Sequence, residues 1–140
     1  MSLLKKLINI FSTPKKKKFV EPLENLDALR KDFLETNARL LAERIASMFG
    51  GSDYVYILTN VLDKKVEEPP ESFKELLKGA DLPTLLKEFQ AVHLMMLTAL
   101  NEHTQEKLNV RLTHVAVEIA NRSGGPDFFR KLNTVLKGII

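Results

Sequence analysis

Residues 81–100, DLPTLLKEFQAVHLMMLTAL, decide the fold class. Leu82, Leu85, Leu86, Phe89, Val92, Met96 and Leu100 recur at spacings of three and four, the helical period. Asp81 stands where an N-cap is needed, and Pro83 falls in the first turn, where a missing N–H costs nothing. Around His93 the pattern is apolar on nearly every side, through Val92, Leu94, Met95, Met96 and Leu97. A helix apolar all round is a buried one, so this segment is expected to be the central helix of the fold. The polar run Asn101–Lys107 follows, then Leu108, Leu112, Val115 and Ile119 at helical spacing. With neither Gly nor Pro between them, residues 82–122 read equally as one kinked helix or as two.

On the N-terminal side, Leu26, Leu29, Phe33, Leu40, Leu41, Ile45 and Met48 predict one long helix from Leu23 to Phe49, stopped by Gly50-Gly51. Ser52 or Asp53 can cap a further helix carrying Tyr54, Ile57, Leu58, Val61 and Leu62. Val55, Tyr56 and Ile57 also favour a strand, but no second strand is present to pair with it, and an isolated strand leaves its backbone groups unsatisfied. After a loop at Glu67–Pro70, Ser72 and Glu75 match a capping box for a short helix ending at Gly79. Ser123-Gly124-Gly125-Pro126 breaks the chain again, ahead of a last helix presenting Phe128, Leu132, Val135, Leu136 and Ile139. The expected fold is all-α: an antiparallel bundle of four main helices plus a short one over residues 23–140.

Ahead of it, residues 1–22 read as an arm and linker. Leu3, Leu4, Leu7, Ile8 and Phe11 share one helical face, with Lys5, Lys6 and Asn9 opposite. Thr13-Pro14 ends that pattern, and Lys15, Lys16, Lys17 and Lys18 follow. A signal peptide would have a longer apolar run and a small-residue cleavage site, so none is expected. No apolar stretch approaches the ~20 residues that cross a bilayer. The 140 residues suit one domain, and 44% hydrophobic with 28% charged residues suits a folded one. The chain has no cysteine. Disulfides, thiolate zinc sites and cysteine nucleophiles are thereby excluded, and a reducing, cytoplasmic setting is the expectation.

The net charge of +3 conceals segregation. Residues 1–18 hold six lysines and no acid; residues 19–106 hold 9 basic and 16 acidic residues, and residues 107–140 hold 6 and 2. Such polarity points to an anionic partner. A short apolar face beside clustered lysines suits an anionic membrane surface: Leu4, Leu7, Ile8 and Phe11 would insert at the headgroup boundary while Lys5, Lys6 and Lys15–Lys18 meet lipid charge. Nucleic acid accommodates the lysines equally and explains the apolar face less well. Under that alternative, Lys107, Arg111, His114 and Arg122 form a second contact stripe, interrupted by Glu118. The plainer reading of the stripe is a solvated face with a Glu118–Arg122 pair, and that of the arm is docking on its own domain or a sister subunit. Lys15–Lys18 after Pro14 also resemble a short nuclear-import signal.

No catalytic or metal motif is present. The two-ligand helical spacings Glu-x-x-His and His-x-x-x-His do not occur, and His93 reads as a core or interface residue. His103 and His114 lie about 16 Å apart if one helix carries both. Ser123-Gly124-Gly125 lacks the lysine and the preceding strand of a phosphate loop, and reads as a turn. The expectation is a non-enzymatic interaction or scaffolding module without cofactor, cytoplasmic and peripheral at a membrane. Surplus apolar surface at His93–Leu97, Phe128, Phe129, Ile139 and Ile140 predicts a homo-oligomer, most simply a two-fold dimer.

Overall fold

The computed structural model describes residues 21–138, and among them every regular element is helical. A 3-10 turn, Leu23–Asn25, leads into α1 (Leu26–Thr36), α2 (Arg39–Met48), α3 (Ser52–Leu62), α4 (Glu71–Gly79), α5 (Leu82–Thr98), α6 (Glu102–Arg122) and α7 (Pro126–Leu136). No described helix is long and apolar enough to cross a membrane. The core lies where α7 meets α2 and α3, with α6 packed against α3 and α5 running along α6. Phe33, Phe49, Phe89 and Phe129 are fully buried there. Phe49 meets Phe129 edge to face at 5.0 Å, and Phe33 meets Phe128 the same way at 6.1 Å, which ties α1 and the end of α2 to α7. Each such ring contributes about 1.5–3 kcal/mol through burial, before the smaller gain from edge-to-face geometry.

The glycine pairs behave as turn chemistry requires. Gly50 and Gly51 have φ of 97° and 115°, Gly124 and Gly125 of 116° and 95°, all in the region that favours residues without Cβ. At Gly50 a Cβ would also lie 2.7 Å from Gln90 Nε2, because the α2–α3 turn presses against α5.

Four local expectations are corrected. The helix expected over Leu23–Phe49 is two helices, α1 and α2. Asn37 takes φ 53° and ends α1, its N–H reaching Phe33 O at 2.7 Å. Asn tolerates this left-handed conformation better than other non-glycine residues, and Thr36 Oγ1 accepts the Ala38 N–H beyond it. At α3, Ser52 and Asp53 lie inside the helix; Gly51 is its N-cap and no side chain caps it. The Ser72–Glu75 capping box is not formed either: α4 starts at Glu71 behind Pro70, without a side-chain cap. The expectation at Asp81 holds, since its carboxylate accepts the Thr84 N–H at 2.9 Å; hydrogen bonding from the Thr84 side chain, and then from its N–H, lowers the Asp81 pKa.

Helix α5, expected to be the central buried helix, is buried over only part of its length. Its first half is buried as expected, through Leu85, Leu86, Phe89 and Val92. Its second half is not: Leu94 is 63% exposed, Met95 44% and Leu97 69%. The chain turns at Ala99, Leu100 and Asn101, and Asn101 Oδ1 caps α6 by accepting the Thr104 N–H at 2.8 Å. Residues 82–122 are therefore two helices forming a hairpin, closed midway by the Glu88–Arg111 pair. The cap that makes the turn is a single asparagine, which explains why no Gly or Pro marks it.

Candidate interaction surfaces

The tip of the α5–α6 hairpin carries the largest exposed apolar group among the described residues. Leu94 and Leu97 lie one turn apart on α5, Met95 lies beside them, and Leu100 in the turn is completely exposed. Asn101–Lys107 at the start of α6 are also exposed, so the tip stands clear of the core on both helices. His93 marks its base, half-buried and edge to face with Tyr54 at 6.2 Å between centroids. Scattered exposed apolar residues need no explanation, but four within seven positions concentrate apolar surface at this end of the hairpin. Apolar periodicity announces these side chains and predicts their burial; the structure leaves them at the surface. Phe128 and Phe129, also counted as surplus, are core residues. Ile139 and Ile140 lie outside the described residues.

The residues proposed for anionic-surface binding, Leu4, Lys5, Lys6, Leu7, Ile8, Phe11 and Lys15–Lys18, lie outside the described residues as well. Glu21, at the start of the described residues, is 2% exposed. Its N–H donates to Ser47 Oγ at 3.2 Å, and its carboxylate accepts from Arg44 Nε at 2.8 Å and Asn25 Nδ2 at 2.5 Å. The hydrogen bond from Arg44, seconded by that from Asn25, holds the Glu21 pKa below the usual carboxylate range.

The second basic stripe lies along α6, with Lys107 exposed near its start. The other three members are engaged within the domain. Arg111 pairs with Glu88 at 2.6 Å and lies over the Phe73 ring at 5.0 Å. His114 Nε2 donates to Glu67 O at 2.7 Å. Arg122 pairs with Glu118 at 2.9 Å, and its guanidinium also reaches the Leu77, Lys78 and Ala80 carbonyls that end α4. A cation there satisfies orphan carbonyls and the negative end of the helix dipole together. Beside the stripe, Lys74 pairs with Glu68, which lowers the Glu68 pKa and raises that of Lys74.

His103 and His114 share α6, eleven residues apart, and do not converge. Among the described residues no group of three or more potential ligands is placed to hold a metal ion. In the Ser123–Gly125 turn the Gly125 N–H donates to Ala120 O at 2.7 Å, closing α6, while Gly124 sits against the Arg30 side chain. No protein-family model, no curated protein and no solved structure matches this chain.

Proposed function

We propose that this protein is a non-enzymatic interaction module, self-associating through its α5–α6 tip and tethered at the periphery of a membrane by its basic N-terminal arm. The observation that carries the reading is the apolar tip of Leu94, Met95, Leu97 and Leu100. Such a patch is worth its solubility cost where a partner covers it, and a second copy supplies a matching apolar surface by symmetry. Support for the tether is the division of labour in residues 1–18, an apolar face for insertion and six lysines for attraction. A single weak anchor is reversible, and stable attachment takes two signals, which this arm contains. Self-association would multiply the arms on one particle and raise avidity without any new contact.

The test is co-sedimentation of full-length and Δ1–18 protein with anionic vesicles and, separately, with duplex DNA across a salt series. Binding to vesicles that disappears with the arm supports the tether. Binding to DNA alone favours a nucleic-acid accessory or packaging role. That alternative has little behind it in α6, where Arg111, His114 and Arg122 are engaged by Glu88, Glu67 and Glu118.

A further inference from the structure

The outer side of α2 carries an apolar groove of about 630 Å³, lined by Ala38, Leu40, Leu41, Glu43, Arg44 and Ser47. Leu40 is 75% exposed in it, an unusual position for leucine on a helix whose opposite face is well buried. Two of its lining residues are those that hold Glu21: Ser47 accepts the Glu21 N–H, and Arg44 donates to its carboxylate. The chain upstream of Glu21 therefore starts at the edge of the groove.

That chain reads Lys18-Phe19-Val20-Glu21. Between Phe11 and Glu21 the residues are Ser, Thr, Pro and four lysines, followed by Phe19 and Val20 as the two hydrophobic side chains. They stand where the reach of the chain is shortest: the Phe19 Cα lies within about 7 Å of the Glu21 Cα whatever path it takes. We propose that the α2 groove is the docking site of Phe19 and Val20 of the same chain, so that the arm is clipped to the domain at residues 19–21. The buried Glu21 is then the polar end of a three-residue clip, and Leu40 and Leu41 form the apolar floor. Covering this floor removes it from water, as the hydrophobic effect demands of neighbouring apolar surfaces. The lysine run begins one residue upstream, so the clip delivers Lys15–Lys18 to the α2 side of the domain. The proposal stands apart from any reading of what those lysines bind.

The experiment is a double-substitution cycle on the full chain in dilute lipid-free buffer, with thermal unfolding as readout. Leu40→Gln and Phe19→Gln keep chain length, and glutamine matches leucine in helix propensity. If the groove is covered by Phe19, each substitution lowers the Tm, and the double variant loses clearly less than the two losses combined, because both remove one contact. An unchanged Tm for Leu40→Gln, expected of an uncovered surface leucine, overturns the proposal. Losses that add in full also overturn it. Repeating the melts over a dilution series identifies the occupant. A Leu40→Gln effect independent of concentration keeps it within the chain, whereas one that vanishes on dilution assigns the groove to a second copy and overturns the clip.

Discussion

Glu21 and Arg44 are joined across 23 positions of sequence, Oε1 to Nε at 2.8 Å, with the carboxylate side of the pair almost wholly buried. The Glu21 pKa is lowered in the folded state relative to its ordinary value of 4.5. A group depressed in this way contributes stability that is present above its unfolded pKa and is lost as pH falls through the folded one. Melts at descending pH are therefore expected to show Tm falling below about pH 4.5, with Glu68, similarly depressed by Lys74, adding to the slope. Glu21→Gln should lower the Tm at neutral pH and flatten this acid limb. An unchanged acid limb in the variant would assign the slope to other carboxylates.

The lysine-rich arm should be separable from the fold. Residues 1–18 precede the Glu21 anchor, and their like charges repel one another. Deleting them should leave the Tm nearly unchanged, since surface changes usually fall within about ±0.5 kcal/mol. A large loss would make residues 1–18 part of the core and remove the tether.

On anionic vesicles the two halves of the arm have different signatures. Leu7→Glu should abolish binding by placing a charge in the inserted face. Lys-to-Gln changes at 15–18 should weaken binding and remove most of its salt dependence. Nucleic acid predicts the other pattern, with the lysines mattering and Leu7 hardly at all.

Leu97→Glu is the corresponding change at the hairpin tip. Leu97 is largely exposed, so the monomer should keep its Tm. Sedimentation at micromolar concentration should show oligomer for the parent and monomer for the variant. A parent running as a 15.9 kDa monomer refutes self-association.

Asn37 tests the break between α1 and α2. Its φ of 53° carries a penalty for side chains that cannot bond locally, so Asn37→Ala should cost about 1 kcal/mol, while Asn37→Gly should be neutral or stabilising. Chemical denaturation of the three proteins would check the order.

Helical periodicity located the helical regions among the described residues except the polar first turns of α6, residues 102–107, and the glycine pairs marked two turns, because both signals are local. The missed features depend on a neighbour. Asn37 inside a run of helix formers looks like an ordinary polar residue until the helices it separates are seen to pack on each other. Leu94 and Leu97 look buried from their spacing, and only the packing of α5 against α6 as a hairpin shows that they stay exposed. The stripe on α6 was legible as a row of cations, together with its Glu118–Arg122 pair. The other partners that engage it, Glu88, Glu67 and the end of α4, stand 23 to 47 positions away and carry no motif.

The short helix α4 holds two of those cations at once. Phe73, in its first turns, lies under Arg111, and the carbonyls at its end receive Arg122. Segments with few buried residues open before the fold as a whole, and Leu77 is the one buried residue of α4. A single such opening would release both guanidiniums from the α4 contacts together, leaving each only its carboxylate partner. Hydrogen exchange at the amides of this nine-residue segment would measure how often the two contacts are released together.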